Sequence, residues 1–136
     1  MINKTYLNNL EYQVTGACIE VHKILGSGLL ESIYHQCLIK ELQIRNINFL
    51  SEKSISIDYK GSVLETNLRA DLIIENCMVL ELKSIEKILP IHEAQLLSYM
   101  KILRAPVGLL INFNSTNIIQ NGKKPFVNEF NNLLSD

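Results

Sequence analysis

Arg69-Ala-Asp-Leu-Ile-Ile-Glu-Asn-Cys-Met-Val-Leu-Glu-Leu-Lys83 consists of two apolar runs interrupted by charged residues at matched distances from Asn76. The pattern predicts a hairpin. With Asn76 at the centre of the turn, Ala70 opposes Leu82, Leu72 opposes Leu80 and Ile74 opposes Met78, so one face carries six apolar side chains. Side chains alternate along a strand, and opposed residues point the same way. The other face therefore carries Arg69/Lys83, Asp71/Glu81 and Ile73/Val79. A register shifted by one residue would set Asp71 against Leu80 and split the apolar set, so burial of one face favours the first register. Asp71 and Glu81 then face each other at about 5 Å. The stretch alone leaves two readings open, a chemical site and a solvated open face.

Outward from the hairpin, the period of the apolar residues defines the other elements. Leu7, Leu10, Val14, Ala17, Cys18, Val21 and Leu25 step by three or four, which predicts a helix with one buried stripe. Gly26-Ser27-Gly28 ends it, since glycine takes positive φ without penalty. A second helix begins near Leu29, with Leu30, Ile33, Tyr34, Cys37, Leu38, Glu41 and Leu42 as its stripe, and stops near Arg45-Asn46. The period then becomes two. Phe49, Ser51, Lys53, Ile55, Ile57 and Tyr59 mark a strand, Lys60-Gly61 a turn, and Ser62 to Asn67 a second, short strand before the hairpin. Ile85 to Ile91 reads as a loop containing Pro90, and His92 to Leu103 as a helix with Ala94, Leu97, Tyr99, Met100 and Leu103 as its apolar positions. Pro106 to Asn112 is an apolar run suited to a strand covered on both faces, linked to the preceding strand by a parallel crossover. Asn112 to Asn121 reads as a short edge strand around Ile118-Ile119, Gly122 to Pro125 as a turn, and 126–136 as a frayed helix or an edge. The fold class is α/β, with helices flanking a central mixed β-sheet of four to five strands.

With 136 residues, 47% of them hydrophobic and 20% charged, the chain reads as a single globular domain, 1–136. Its longest apolar run, Ala105 to Ile111, is too short to span a bilayer, and Met1 to Tyr6 lacks the basic and apolar regions of a signal peptide. The expectation is a cytoplasmic protein without a membrane partner. Cys18, Cys37 and Cys77 are odd in number and each sits in an apolar pattern, so they read as core residues rather than as disulfides or a zinc site. A net charge of −1 gives no global attraction to nucleic acid. Such binding would rest on a local patch or a bound metal, and Lys101, Arg104, Lys123 and Lys124 read as a solvated face before a phosphate-binding patch.

Two carboxylates a few ångströms apart beside an ammonium suit hydrolysis assisted by a divalent ion. Mg²⁺ takes oxygen ligands and is typically held by one or two carboxylates together with waters and a substrate phosphate. It lowers the pKa of a coordinated water, while a lysine can orient that water or stabilise the transition state. Without the ion the carboxylates repel, and one tends to stay protonated.

Asp71, followed by Glu81-Leu82-Lys83, resembles the D…(D/E)xK signature of the PD-(D/E)XK nuclease superfamily. Gly28-Leu-Leu-Glu31-Ser-Ile-Tyr34 reads as G-x-x-E-x-x-Y. Together with Arg69-Ala-Asp71-Leu, His92-Glu-Ala-Gln95-Leu-Leu-Ser-Tyr99 and Gly108-Leu-Leu-Ile-Asn112-Phe113, it makes the chain similar to the small GxxExxY proteins of that superfamily, over about residues 8 to 115. The resemblance implies a restriction-endonuclease-like core with a weakly defined C-terminal tail. It implies Asp71 and Glu81 as metal ligands, the Leu82 carbonyl as a third, and Lys83 as the catalytic lysine. Glu31 would be the added acidic residue beside the metal, and Gln95 a contact to substrate backbone or to the metal's water. The ion would be Mg²⁺, with Mn²⁺ as a substitute, and the substrate nucleic acid, DNA ahead of RNA; a homodimer is compatible with the resemblance. One departure is Ala70, which stands where the superfamily name has proline. The expected function is a metal-dependent nuclease acting on DNA phosphodiester bonds. The alternative is a non-catalytic nucleic-acid- or protein-binding module that retains the nuclease fold, and a third reading makes the polar face a structural ion cluster only.

Overall fold

The apolar stripes become two helices that pack side by side on one face of the sheet in the computed structural model, which describes residues 1–136. Helix α1 (Lys4–Leu25) is capped by Asn3, whose side chain accepts the Tyr6 N–H at 2.8 Å, and it buries Leu7, Leu10, Val14, Ala17, Cys18 and Val21 as its period predicts. Gly26 and Gly28, at φ 72° and 96°, turn the chain. Helix α2 (Glu31–Ile44) starts two residues later than the glycines suggest, and its buried stripe is narrower than expected, Tyr34, Leu38 and Leu42. It ends where expected, with Asn46 in the left-handed conformation at φ 58°.

The sheet has five strands in the order β1 (Phe49–Tyr59), β2 (Ser62–Ile74), β3 (Met78–Lys83), β4 (Val107–Asn112) and β5 (Lys123–Val127). Only β3 and β4 run parallel. Helix α3 (Pro90–Leu103) makes the crossover between them. This is the expected α/β architecture, at five strands.

Several details differ from the sequence reading, among them the α3 stripe, where Leu96 is buried and Leu97 exposed. Ser62 to Ile74 is one strand rather than two. Pro90 opens α3 instead of lying in a loop, because the N–H that proline lacks has no partner in a helix's first turn anyway. Ile118–Gly122 forms a π-type turn rather than a strand. Asn117 accepts the Gln120 N–H at 3.0 Å and Asn121 donates to the Thr116 hydroxyl at 3.1 Å, so polar side chains close that turn. The edge strand is instead Lys123–Val127, where Pro125 is tolerated. A short helix, α4 (Glu129–Asn132), follows.

The sheet separates two apolar clusters. Leu72, Ile74, Met78, Leu80 and Leu82 pack under α1 and α2, whereas Ile73, Val79 and Leu110 pack under Leu96, Tyr99 and Met100 of α3. Contact with α3 is close at Gly108, where a Cβ would run into the Met100 sulfur. Cys18 and Cys77 are buried, Cys37 is half-buried, and all three are free. No helix is long and apolar enough to cross a membrane.

Candidate active site at the fork of β2 and β3

The β2–β3 register is the one centred on Asn76: Leu72 opposes Leu80, Ile73 opposes Val79 and Ile74 opposes Met78. Glu75 and Asn76, at φ 49° and 58°, make the turn. The ladder stops at Leu72/Leu80, one residue before Asp71 and Glu81. On its other side β2 pairs with β1 from Phe49/Ile74 to Ser54/Arg69, and the one pair missing from that run is Glu52 opposite Asp71. The cause lies in Glu52, whose φ of 53° is left-handed. A non-glycine residue there costs about 1–2 kcal/mol. Asp71 thus has no ladder pair on either side. Strain of this kind persists only where the surrounding structure imposes it.

Side chains take over where the ladder stops. The Asp71 N–H donates to Glu81 Oε2 at 2.7 Å, and the Leu82 N–H donates to Asp71 Oδ2 at 2.8 Å. The two carboxylates therefore meet, as the sequence predicts, but each is anchored on the other's strand. One expectation is corrected by the same break. Ala70 leaves the face of Leu72 and joins the cluster under α3, because the interruption at Asp71 reverses the alternation along β2.

Other chain segments converge on this fork. Glu31 is the first residue of α2, and its charge interacts with those of Asp71, Glu81 and Lys83. Lys83 ends β3 opposite Asn112 of β4 and takes part in none of the four ion pairs, Arg45–Glu41, Arg69–Glu52, Lys123–Glu11 and Lys124–Glu93. Lys124 is exposed and paired with Glu93, in keeping with a solvated face, whereas Lys123 is largely covered and pairs with Glu11 of α1. Gln95, on α3, donates to the Tyr99 hydroxyl at 3.1 Å. Tyr99 reads from sequence as a core residue, and its ring is buried, yet its hydroxyl lies in the field of Glu81 and Asp71. The spacing of Gln95 and Tyr99, one helical turn apart, was the available signal. Glu52 and Ser84 are the other neighbours that the sequence left unmarked.

Electrostatics follow from burial. Glu81 is 4% exposed, and desolvation, with the Asp71 charge second, pushes its pKa up to about 8, against the Asp71 N–H and Lys83. Burial also raises Asp71, although the Leu82 N–H favours its ionised form. Glu31 is exposed overall, and partial desolvation followed by the Asp71 charge raises it. All three acids resist ionisation chiefly through desolvation, with Lys83 opposing the shift in each.

No three His, Cys, Asp or Glu side chains stand close enough to hold a metal among themselves. The donor set is smaller. Asp71 and Glu81 each have one oxygen tied to a backbone N–H and one without a protein hydrogen bond. The Lys83 carbonyl accepts the Phe113 N–H at 2.8 Å, toward β4. Alternation along β3 turns the Leu82 N–H and carbonyl the other way, into the fork beyond the last β2–β3 pair. Two carboxylates and a carbonyl fit a hard ion that keeps waters and substrate oxygens as its remaining ligands.

A model of the PD-(D/E)XK nuclease superfamily matches residues 8–124. No curated protein and no solved structure matches the chain.

Proposed function

This chain belongs to the PD-(D/E)XK nuclease superfamily, and from that premise we propose that it hydrolyses DNA phosphodiester bonds with Mg²⁺ held by Asp71, Glu81 and the Leu82 carbonyl. The five-stranded mixed sheet flanked by helices is consistent with a restriction-endonuclease-like fold. The observation that carries the proposal is the crossed pair of hydrogen bonds at the fork, Asp71 N–H to Glu81 and Leu82 N–H to Asp71. It aims two carboxylates with raised pKa at one opening in the sheet.

When bound, a divalent ion would acidify a water and offset charge on the scissile phosphate. The chain supplies the rest. Lys83, at the end of β3 and outside every ion pair, holds the attacking water in line or donates to the phosphate oxygen that gains charge. Glu31 stands outside any three-carboxylate metal cluster, acts on the fork through its charge, and holds a proton more readily than a free glutamate does. Gln95 is oriented by Tyr99 and presents its amide to the substrate backbone or to a bound water. Glu81 is 4% exposed and lies beside Leu110 of β4.

The test is cleavage of duplex, single-stranded and branched DNA by the purified protein with Mg²⁺ or Mn²⁺. Cutting that is lost in Glu81→Ala supports the proposal. Failure to cut any of the three, or a Glu81→Ala protein that cuts equally well, overturns it, and cutting of RNA alone reassigns the substrate.

A further inference from the structure

We infer that Tyr34 is a positioning residue for Glu31, a role that rests on the nuclease reading above and goes beyond it by saying what holds that carboxylate in register with Lys83. Helix α2 begins without a side-chain cap, since its N-cap residue is Leu30. An uncapped first turn leaves backbone groups without partners and frays readily. Glu31 is the first residue of that turn. Its position must therefore be fixed from elsewhere.

The fixing groups are one turn further on and at the ends of β3 and β4. Tyr34 is fully buried, and its ring stacks on Phe113 at 4.4 Å with 4° between the planes. Its hydroxyl donates to the Gly26 carbonyl at 2.6 Å and accepts the Leu29 N–H at 3.2 Å, joining the two ends of the loop that leads into Glu31. The Ser84 hydroxyl donates to the Leu29 carbonyl at 2.5 Å. Ser84 directly follows Lys83, and the Lys83 carbonyl takes the Phe113 N–H. The loop before Glu31 is thus bolted at Leu29 to the residue after Lys83, and through the Tyr34 ring to the residue bonded to Lys83.

A tyrosine that only filled space would need no hydroxyl there. Both hydrogen bonds of the Tyr34 hydroxyl go to the loop that carries Glu31 and none to the core beneath it. Gly26 and Gly28 supply the positive φ this path needs, and neither has a heavy atom within 4 Å of the place a Cβ would occupy. The loop is held by the Tyr34 hydroxyl at Gly26 and Leu29 and by Ser84 at the Leu29 carbonyl.

Tyr34→Phe keeps the ring stack and removes only the restraint. We expect a melting temperature within roughly 10 °C of wild type, as for two lost hydrogen bonds. We expect kcat for Mg²⁺-dependent cleavage to fall about tenfold to a hundredfold with KM within about twofold, the signature of a misplaced group. Ser84→Ala should give a smaller loss of the same kind. In a Glu31→Gln background Tyr34→Phe should add no further loss, since it acts through Glu31; if that background has no measurable turnover, the same cycle is read on Mn²⁺ affinity by calorimetry. Exchange of the Leu29 amide hydrogen should speed up in Tyr34→Phe. Unchanged kcat at 25 °C, losses that add in the double variant, or unchanged Leu29 exchange would each overturn the inference. If the wild-type protein cuts no nucleic acid, the nuclease reading fails by itself, and the exchange measurement still decides whether Tyr34 holds the loop.

Discussion

Replacing Glu81 by Gln removes one charge, keeps an oxygen to accept the Asp71 N–H, and tests the electrostatic account of the fork directly. Burial, with Asp71 second, raises the Glu81 pKa from 4.5 to about 8 in the folded chain. Below the unfolded value Glu81 is neutral in both states and contributes nothing to the pH dependence. Between the two values the folded state keeps a proton that the unfolded state releases, so stability falls as pH rises. The slope is about 1.4 kcal/mol per pH unit, giving roughly 5 kcal/mol across the window, with Asp71 adding in the same direction. For a chain of this size that corresponds to roughly 15 °C in melting temperature.

The assay is a series of thermal melts in metal-free buffer from about pH 5 to about pH 9. The wild-type protein should lose melting temperature steadily across the series. Glu81→Gln should match it near the acidic end, fall much less, and be the more stable protein at the alkaline end. Mg²⁺ or Mn²⁺ added at about pH 8.5 should restore the wild type by binding the folded state, and should leave Glu81→Gln unchanged. Parallel profiles for the two proteins would refute the reasoning. Glu81 would then ionise as freely as an exposed glutamate, and the dry, crossed geometry of the fork would be wrong.

Three further outcomes follow from the same structure. Glu52→Gly relieves the left-handed φ of 53° and should stabilise the chain by about 1 kcal/mol in denaturant melts, whereas glycine in an ordinary strand costs about 0.5–1 kcal/mol, so the sign of the change is the test. Asp71→Asn keeps an acceptor for the Leu82 N–H but removes the charge that helps raise Glu81; the Glu81 midpoint, followed by NMR of its carboxyl carbon, should drop below about 8, and an unmoved midpoint would show that the two do not interact. Gly108→Ala pushes a methyl into Met100 and Leu96 and should cost about 1–3 kcal/mol while moving α3, with Gln95 and Tyr99, away from the sheet; a stability equal to wild type would mean that α3 packs more loosely than described.

The hairpin register was legible because six apolar residues are arranged symmetrically about Asn76, and five of them, all but Ala70, are buried on one face. The bounds of β1 were legible for the same reason, a clean period of two. Glu52 was not. It stands at an exposed position in a strand that alternates polar and apolar residues, and no Gly or Asn marks its left-handed backbone, the signal a reader would look for. Tyr99 was half legible: an aromatic on a helical stripe is usually core, and its ring is, but its hydroxyl serves Gln95. Glu31 was ambiguous because a carboxylate in a helix's first turn is favoured by the dipole alone, and only the fold brings it to Asp71. At the C-terminal end, Ile118-Ile119 has the β-branching of a strand, yet Asn117 and Asn121 bond locally and win the competition.

The crossed carboxylates also explain why the facing pair was inferred correctly from an argument that was incomplete. Symmetry about Asn76 places Asp71 opposite Glu81 only if the ladder continues, and it does not continue. Had it done so, the Ala70 carbonyl would have taken the Leu82 N–H, leaving the Asp71 carboxylate to stand on the face of the sheet. Because β2 is released on both sides at Asp71, by the end of the β3 ladder and by the Glu52 kink, its carboxylate can turn into the plane of the sheet and take that N–H itself. Glu81 makes the reciprocal bond to the Asp71 N–H that a regular β2 would not have aimed at it. Burial then follows from position, since a side chain in the plane of a sheet is covered from both faces, and Tyr99 of α3 lies near enough to feel the Glu81 charge. The raised pKa of Glu81 is therefore a property of where the strands part, and any substitution that restores Glu52/Asp71 pairing should lower it even though no charged group is removed.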